Sequence, residues 1–225
     1  MNLNSVSRVL IVRHGETAWN LEGRIQGQTD VCLSPAGVVQ AGLLADRIAR
    51  DFAPVSAIYS SDLRRASQTA AAISLRCGAG VVTDPRLREY ALGRWEGLTA
   101  NDIAANGEAE LYRSFRADPA HVRPPGSEEV LAAHHRMAAA WDAIAEPPPG
   151  AVSVVVGHGG SLALLLSRLL GADIESAFHL ELSNASLSVV RWNTEPAPRR
   201  LRVVLLNCTA HLNANHALQS PDAPG

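Results

Sequence analysis

Two short aliphatic runs, each cut off by glycine and histidine, constrain this chain more than any other feature. Val9-Leu10-Ile11-Val12 stops at once in Arg13-His14-Gly15, and Val152-Ser153-Val154-Val155-Val156 ends in Gly157-His158-Gly159-Gly160. Runs this short and this rich in β-branched residues read as buried strands. Parallel strands place their C-terminal ends on one edge of a sheet, which is where open α/β sheets hold ligands. Both histidines are therefore expected at that edge, side by side. Gly15 lets the backbone turn sharply and approach a bound group closely. Arg13 offers a cation for an oxyanion and His14 a nucleophile. His158 also begins a helix, whose free N–H groups favour anions.

The chain between the two runs alternates strand and helix. A polar loop is predicted over residues 18–33. Ser34-Pro35 reads as an N-cap followed by proline at the first helical position. The helix runs to about residue 50, with Val38, Ala41, Leu44, Ala45 and Ile48 at helical spacing. Residues 55–59 form the second strand, 63–76 a helix closed by Gly78, and 81–83 the third strand. This alternation implies a parallel sheet with right-handed crossovers. The middle, residues 85–125, is less regular, with short rim helices over 99–105 and 109–116. Ser127-Glu128-Glu129 caps a long helix ending near Glu146, where Pro147-Pro148-Pro149-Gly150 breaks it. A helix over 161–170 follows His158. Two last strands, 187–192 and 201–206, are joined by a Pro-rich hairpin. The chain is read as one domain over residues 1–208. Residues 209–225 are expected to form a polar, poorly ordered tail.

Composition narrows the function classes. The 225 residues suffice for one α/β domain with a sizeable core. A net charge of -2 without a basic run gives no footprint for nucleic acid or an anionic membrane. Any anion site must be a local cluster of cations. Cys32, Cys77 and Cys208 are odd in number and widely spaced, with no CxxC pair, so neither a zinc ribbon nor a disulfide framework is indicated. The histidines lack a third ligand at recognisable spacing, so no metal is expected. No signal peptide or spanning segment is apparent, and a cytoplasmic protein is expected. The oligomeric state is open, a homodimer being one option. His121, His134, His135, His211 and His216 are assigned to the surface or rim. Trp19, Trp95, Trp141 and Trp192 are read as core or rim packing, with Trp95 also a candidate for the pocket wall.

Five blocks, in order over roughly residues 9–190, resemble the histidine phosphatase superfamily, on the branch of cofactor-dependent phosphoglycerate mutases and their phosphatase relatives. They are Arg13-His14-Gly15-Glu16-Thr17-Ala18-Trp19-Asn20; Gln26-Gly27-Gln28-Thr29-Asp30 with Leu33-Ser34-Pro35-Ala36-Gly37; Ser60-Ser61-Asp62-Leu63-Arg64-Arg65-Ala66; Arg86-Leu87-Arg88-Glu89-Tyr90 with Leu92-Gly93-Arg94-Trp95-Glu96-Gly97; and Val156-Gly157-His158-Gly159-Gly160. The resemblance implies a three-layer α/β/α sandwich with a mostly parallel central sheet, phosphoglycerate mutase-like. It also implies roles. His14 is the nucleophile that becomes phosphorylated. Arg13, Arg65 and His158 bind the phosphoryl oxygens, Arg65 being chosen over Arg64 because it precedes Ala66. Glu89 is the proton donor to the leaving oxygen. Asn20, Gln26, Gly27 and Gly159 belong to the phosphate pocket, Glu16 lies beside it, and Asn184 is a supporting polar position. Two arginines and a protonated histidine can neutralise three equatorial oxygens without a cofactor.

The activity implied is hydrolysis of a small phosphorylated metabolite through a phosphohistidine. A mutase is the alternative, and a catalytically inactive binding module the third. The short segment between Glu89 and His158 and the Leu92–Gly97 block favour the phosphatase, and the intact set of five residues opposes the inactive module. Specificity is assigned to the rim, residues 91–125.

Overall fold

The computed structural model describes residues 6–144, 150–193 and 201–213. Strands β1 (Val6–Arg13) and β4 (Val152–Gly157) run parallel at the centre of a six-stranded sheet. Every residue of β4 is buried, as a strand covered on both faces requires. With β2 (Ala57–Ser60), β3 (Val81–Thr83), β5 (Leu187–Asn193) and β6 (Leu201–Cys208), the order is β3-β2-β4-β1-β5-β6. The first four strands are mutually parallel, and β5 and β6 add antiparallel to β1.

Alternation along the central strands divides the core into two layers. Leu10 and Val12 of β1 and Val154 and Val156 of β4 join Leu44 and Ile48 of α2 (Pro35–Phe52) and Ile73 of α3 (Arg64–Cys77). Val9, Ile11 and Val155 point the other way. They meet Met137 and Trp141 of α6 (Val130–Ile144) and Leu162, Leu165 and Leu166 of α7 (Gly159–Leu170). The result is the three-layer sandwich that the family resemblance implies, around the parallel strands that the alternating pattern predicts. The rim helices are α4 (Ala100–Ala105) and α5 (Ala109–Ala117).

The structure departs from expectation at two places, and at Trp95 it decides between two readings in favour of the core. The polar loop contains a one-turn helix, α1 (Ala18–Leu21), capped reciprocally by Thr17 and Asn20. Four residues cannot show a period, so only the Thr-x-x-Asn spacing could have signalled it. The order continues past residue 209: Ala210–Leu212 form a 3₁₀ turn against α2, with Leu212 packed on the first core cluster. One apolar residue in a polar stretch leaves no pattern to read. Trp95 is fully buried and does not line the pocket described below. The Pro-rich hairpin and residues 214–225 lie outside the described residues.

Candidate active site

The register of the two central strands assembles the site. Arg13 pairs with Gly157, and the His14 N–H donates to the Gly157 carbonyl at 3.0 Å. His14 and His158 thereby emerge side by side, their ring centroids 5.1 Å apart. The turn after β1 presses against the start of α2. A Cβ on Gly15 would stand 2.6 Å from the Gly37 carbonyl oxygen, and one on Gly37 only 2.0 Å from that of Glu16. Helix propensity alone favours alanine over glycine within a helix by about 1 kcal/mol. Here the backbone clash outweighs it, so Gly37→Ala is expected to destabilise the fold by roughly 1–3 kcal/mol. A urea midpoint equal to or above wild type would show that the turn gives way instead.

His14 is 3% exposed, and its Nδ1 lies 2.7 Å from the Gly15 carbonyl oxygen. A carbonyl only accepts, so Nδ1 carries the proton and Nε2 keeps a lone pair. Burial, then the charges of Arg13 and Arg65, push the pKa of His14 well below 6.5. The imidazole is neutral at physiological pH, the state a nucleophile needs. Its backbone is pinned as well: the His14 carbonyl accepts from Ala185 N–H at 3.0 Å and from Asn184 Nδ2 at 3.2 Å. Asn184 thus has a role in holding the histidine loop.

His158 is 1% exposed and lies behind His14 without lining the pocket. Its Nδ1 accepts from Arg65 Nε at 3.1 Å, which leaves Nε2–H to donate to Ser61 Oγ at 2.9 Å. Burial, then Arg65, His14 and Arg13, also push its pKa well below 6.5. The protein by itself therefore favours a neutral His158, and the protonated form expected above requires a phosphoryl dianion beside it. The linkage has a definite sign. Below pH 6.5 the unfolded chain protonates both histidines while the folded chain does not, so folding stability falls on acidification. Between pH 7.5 and 5.5 each histidine contributes a loss of up to roughly 1 kcal/mol. The urea midpoint should fall over that range, and fall less in His158→Asn; an equal fall in both proteins would contradict the assignment.

Arg65 is buried at the first turn of α3 and spends its donors on the site. Besides His158, it donates to the carbonyls of Thr29 and Gly27, each at 2.7 Å. Burial lowers its pKa to about 10, which still leaves it charged at neutral pH. Arg13 donates from Nη1 to the Leu182 carbonyl, and its buried Nε has no hydrogen-bond partner among the described residues. Gln26 Oε1 is likewise buried and unpartnered. Asn20 commits Oδ1 to Thr17 and Asn184, which leaves its amide N–H groups to the pocket it lines.

Three carboxylates near the site have separate duties. Glu89 sits at the N-terminus of α7, where its oxygens accept from the N–H groups of Ser161 at 2.7 Å, Gly160 at 2.9 Å and Tyr90 at 3.1 Å. Gly160 is required there, because a Cβ would lie 2.3 Å from the Tyr90 ring and 3.0 Å from Glu89 Oε1. Glu96 accepts from the N–H groups of Gln28 and Leu92 and from Thr29 Oγ, shaping the loop that receives Arg65. Gly27 has φ +49° in that loop, and a Cβ would lie 2.1 Å from Glu96 Oε1. Glu16 accepts from Ser34 Oγ and secures the start of α2. Only Glu89 of these three faces the cavity.

His14, Arg13, Asn20, Gln26, Gly27, Arg65, Glu89 and Gly159 all line one cavity of about 360 Å³. Leu92 lies in the rim segment expected to shape the pocket, but sequence reasoning missed Arg24, Glu181 and the rest of the apolar wall, Phe178, Leu180 and Leu182. Arg24 stands two residues before Gln26 in the second block, a signal that was available. Residues 177–182 follow a 3₁₀ turn, Ile174–His179, and carry no motif. The lining of the cavity therefore extends beyond residues 91–125. Among the described residues, no group of three or more His, Cys, Asp and Glu side chains could hold a metal ion, and no helix is long and apolar enough to cross a membrane.

A cavity lined by two arginines and a neutral imidazole can hold an anion beside a nucleophile. The chain belongs to the histidine phosphatase superfamily (branch 1), whose family model matches residues 9–209. It is 40% identical over 190 residues to a Yersinia pestis protein named "Probable phosphoglycerate mutase GpmB", covering 84% of this chain and 86% of that one. Among solved structures it resembles mycobacterial glucosyl-3-phosphoglycerate phosphatase complexed with VO3, with TM-score 0.77 and 34% identity over 89% of this chain and 99% of that one. It also resembles the alpha-ribazole phosphatase of Shigella flexneri, with TM-score 0.78 and 28% identity over 90% and 97% of the two chains.

Proposed function

We propose that this protein is a phosphomonoesterase that hydrolyses a small phosphorylated metabolite through a phosphohistidine on His14. The observation that carries this reading is the state of His14: buried, neutral, with Nδ1 bound to the Gly15 carbonyl, so that Nε2 keeps its lone pair, in a cavity that Arg13 and Arg65 also line. In the first step the Nε2 lone pair attacks phosphorus and the ester P–O bond breaks. Arg13 and Arg65 hold the equatorial oxygens, and Glu89 gives a proton to the departing oxygen. In the second step water attacks the phosphohistidine, its proton returns to Glu89, and inorganic phosphate leaves. His158, buried beside Arg65, orients that guanidinium and gains a counter-ion when the dianion binds.

The pocket composition favours hydrolysis over phosphoryl return. A bisphosphorylated intermediate needs a second cluster of cations. Beyond Arg13 and Arg65 the cavity offers only Arg24, already engaged with Glu22 and the Gly97 carbonyl, and then Glu181 and apolar side chains. Release of inorganic phosphate from a generic aryl phosphate, unaffected by 2,3-bisphosphoglycerate, tests this directly. Activity seen only as isomerisation that depends on 2,3-bisphosphoglycerate would establish the mutase instead. Vanadate is expected to inhibit, since its five-coordinate form imitates the in-line transition state, which an enzyme binds more tightly than substrate. EDTA is expected to leave the rate intact; loss with EDTA and recovery with a divalent cation would reveal a metal site.

A further inference from the structure

Phenylalanine and tyrosine are scarce in this chain, with three of each beside four tryptophans. Four of those six, Tyr90, Tyr112, Phe115 and Phe178, line a single second cavity of about 310 Å³. That volume lies at the lower end of small-molecule sites. Leu92 and Phe178 line both this cavity and the one holding His14, so the two are neighbours across a shared apolar wall.

The second cavity is built, not left over between surface loops. Trp95 is fully buried beneath it and donates Nε1–H to Glu108 at 2.6 Å. Its ring makes edge-on contacts with Tyr112 and Phe115, with centroids 5.6 and 5.5 Å apart. Helix α5 is thereby held with those two side chains fixed at the cavity. Tyr90 follows Glu89 in the chain, so the wall begins one residue from the carboxylate assigned to the leaving oxygen. Arg116 supplies the only charged side chain of the lining, and it makes no ion pair among the described residues. A planar guanidinium among aromatic faces suits a flat ring, by stacking, better than an aliphatic chain.

We infer that the aromatic cavity receives the alcohol portion of the substrate, and that the preferred substrates are alkyl monophosphates carrying a planar aromatic group. This rests on the phosphatase reading above and deepens it. Burial of a ring on Phe115, Tyr112 and Phe178 supplies binding energy remote from phosphorus, on the side of the leaving group.

The test compares 2-naphthylmethyl phosphate with glycerol 1-phosphate. Both release a poor alkoxide leaving group, so leaving-group chemistry does not separate them. Wild-type kcat/KM is expected to favour the naphthylmethyl ester by on the order of ten- to a hundred-fold. Phe115→Ala should cut that ratio by about tenfold, mainly through KM, and Phe115→Leu, which keeps apolar volume on α5, should fall between. In wild type, 2-naphthylmethylphosphonate should inhibit competitively at a concentration at least about tenfold below methylphosphonate. A wild-type ratio near one, equal inhibition by the two phosphonates, or a ratio unchanged by Phe115→Ala overturns the inference while leaving the phosphatase intact. Failure to hydrolyse either ester, with no phosphate label on His14, overturns the phosphatase reading and this inference with it.

Discussion

His14→Ala is expected to abolish turnover, with a loss of at least several powers of ten in kcat, the scale of removing a covalent nucleophile. No other group is placed to replace it. His158 is the nearest imidazole, but it lies outside the cavity lining and both its nitrogens are engaged, one with Arg65 and one with Ser61. Acid-labile label from a phosphorylated substrate should appear on His14 in the wild type and be absent from the variant. The variant should fold, because the Gly157 carbonyl and the Ala185 N–H bond to the backbone of residue 14, not to its ring. Turnover by the variant, or label on His158, would sink the assignment.

Removing Glu89 should have the second-largest effect, and the structure decides how the experiment must be done. Its two oxygens accept three backbone N–H groups, so an amide in its place would turn an NH₂ against a donor. Glu89→Gln is therefore no neutral replacement. It is expected to weaken the start of α7 and lower stability by about 1–2 kcal/mol. Glu89→Ala removes the carboxylate without creating that opposition. General acid catalysis is typically worth about 10²–10⁴-fold. If Glu89 protonates the leaving oxygen, both variants should lose most on alkyl phosphates, whose alkoxides need the proton. They should lose far less on an activated aryl phosphate, whose phenolate leaves unaided. A purely structural Glu89 would depress both substrate types equally, and in that outcome its role would be to cap α7. Glu16 and Glu96 are poor replacements, since one holds Ser34 and the other the loop of residues 27–29, and neither lines the cavity.

Much of this architecture was legible in one dimension because it repeats. Strand and helix periods, the Ser34-Pro35 start of α2 and the Gly78 stop of α3 are local signals that tertiary packing left intact. The start of the helix after Pro124-Pro125-Gly126 and the rim helices also fell close to their observed bounds, while the expected end of that helix near Glu146 lies outside the described residues. Where an element spans only one or two turns, as in α1 or the 3₁₀ segments at 174–179 and 210–212, no period exists to be read. Trp95 shows the same limit in another form. Composition allowed it to be a pocket wall or a core residue, and only the packing of α5 over it made it the buried support of Tyr112 and Phe115.

The amino-acid order by itself determined that two histidines and Arg13 stand at the ends of strands, and that Arg65 lies in the first turn of a helix that follows a strand. Those are consequences of short-range chemistry: β-branched runs, glycine turns and helical spacing. Only the tertiary structure decided that β1 and β4 are neighbours in a register that places Arg13 opposite Gly157. It also decided that the Gly15 carbonyl holds the proton of His14 on Nδ1, that burial keeps both imidazoles neutral, and that Leu182 and Phe178 close a wall no motif announced. A lone pair's direction and a side chain's dielectric surroundings depend on atoms brought together from distant parts of the chain. No local pattern encodes them, and the nucleophilic role proposed for His14 rests on them.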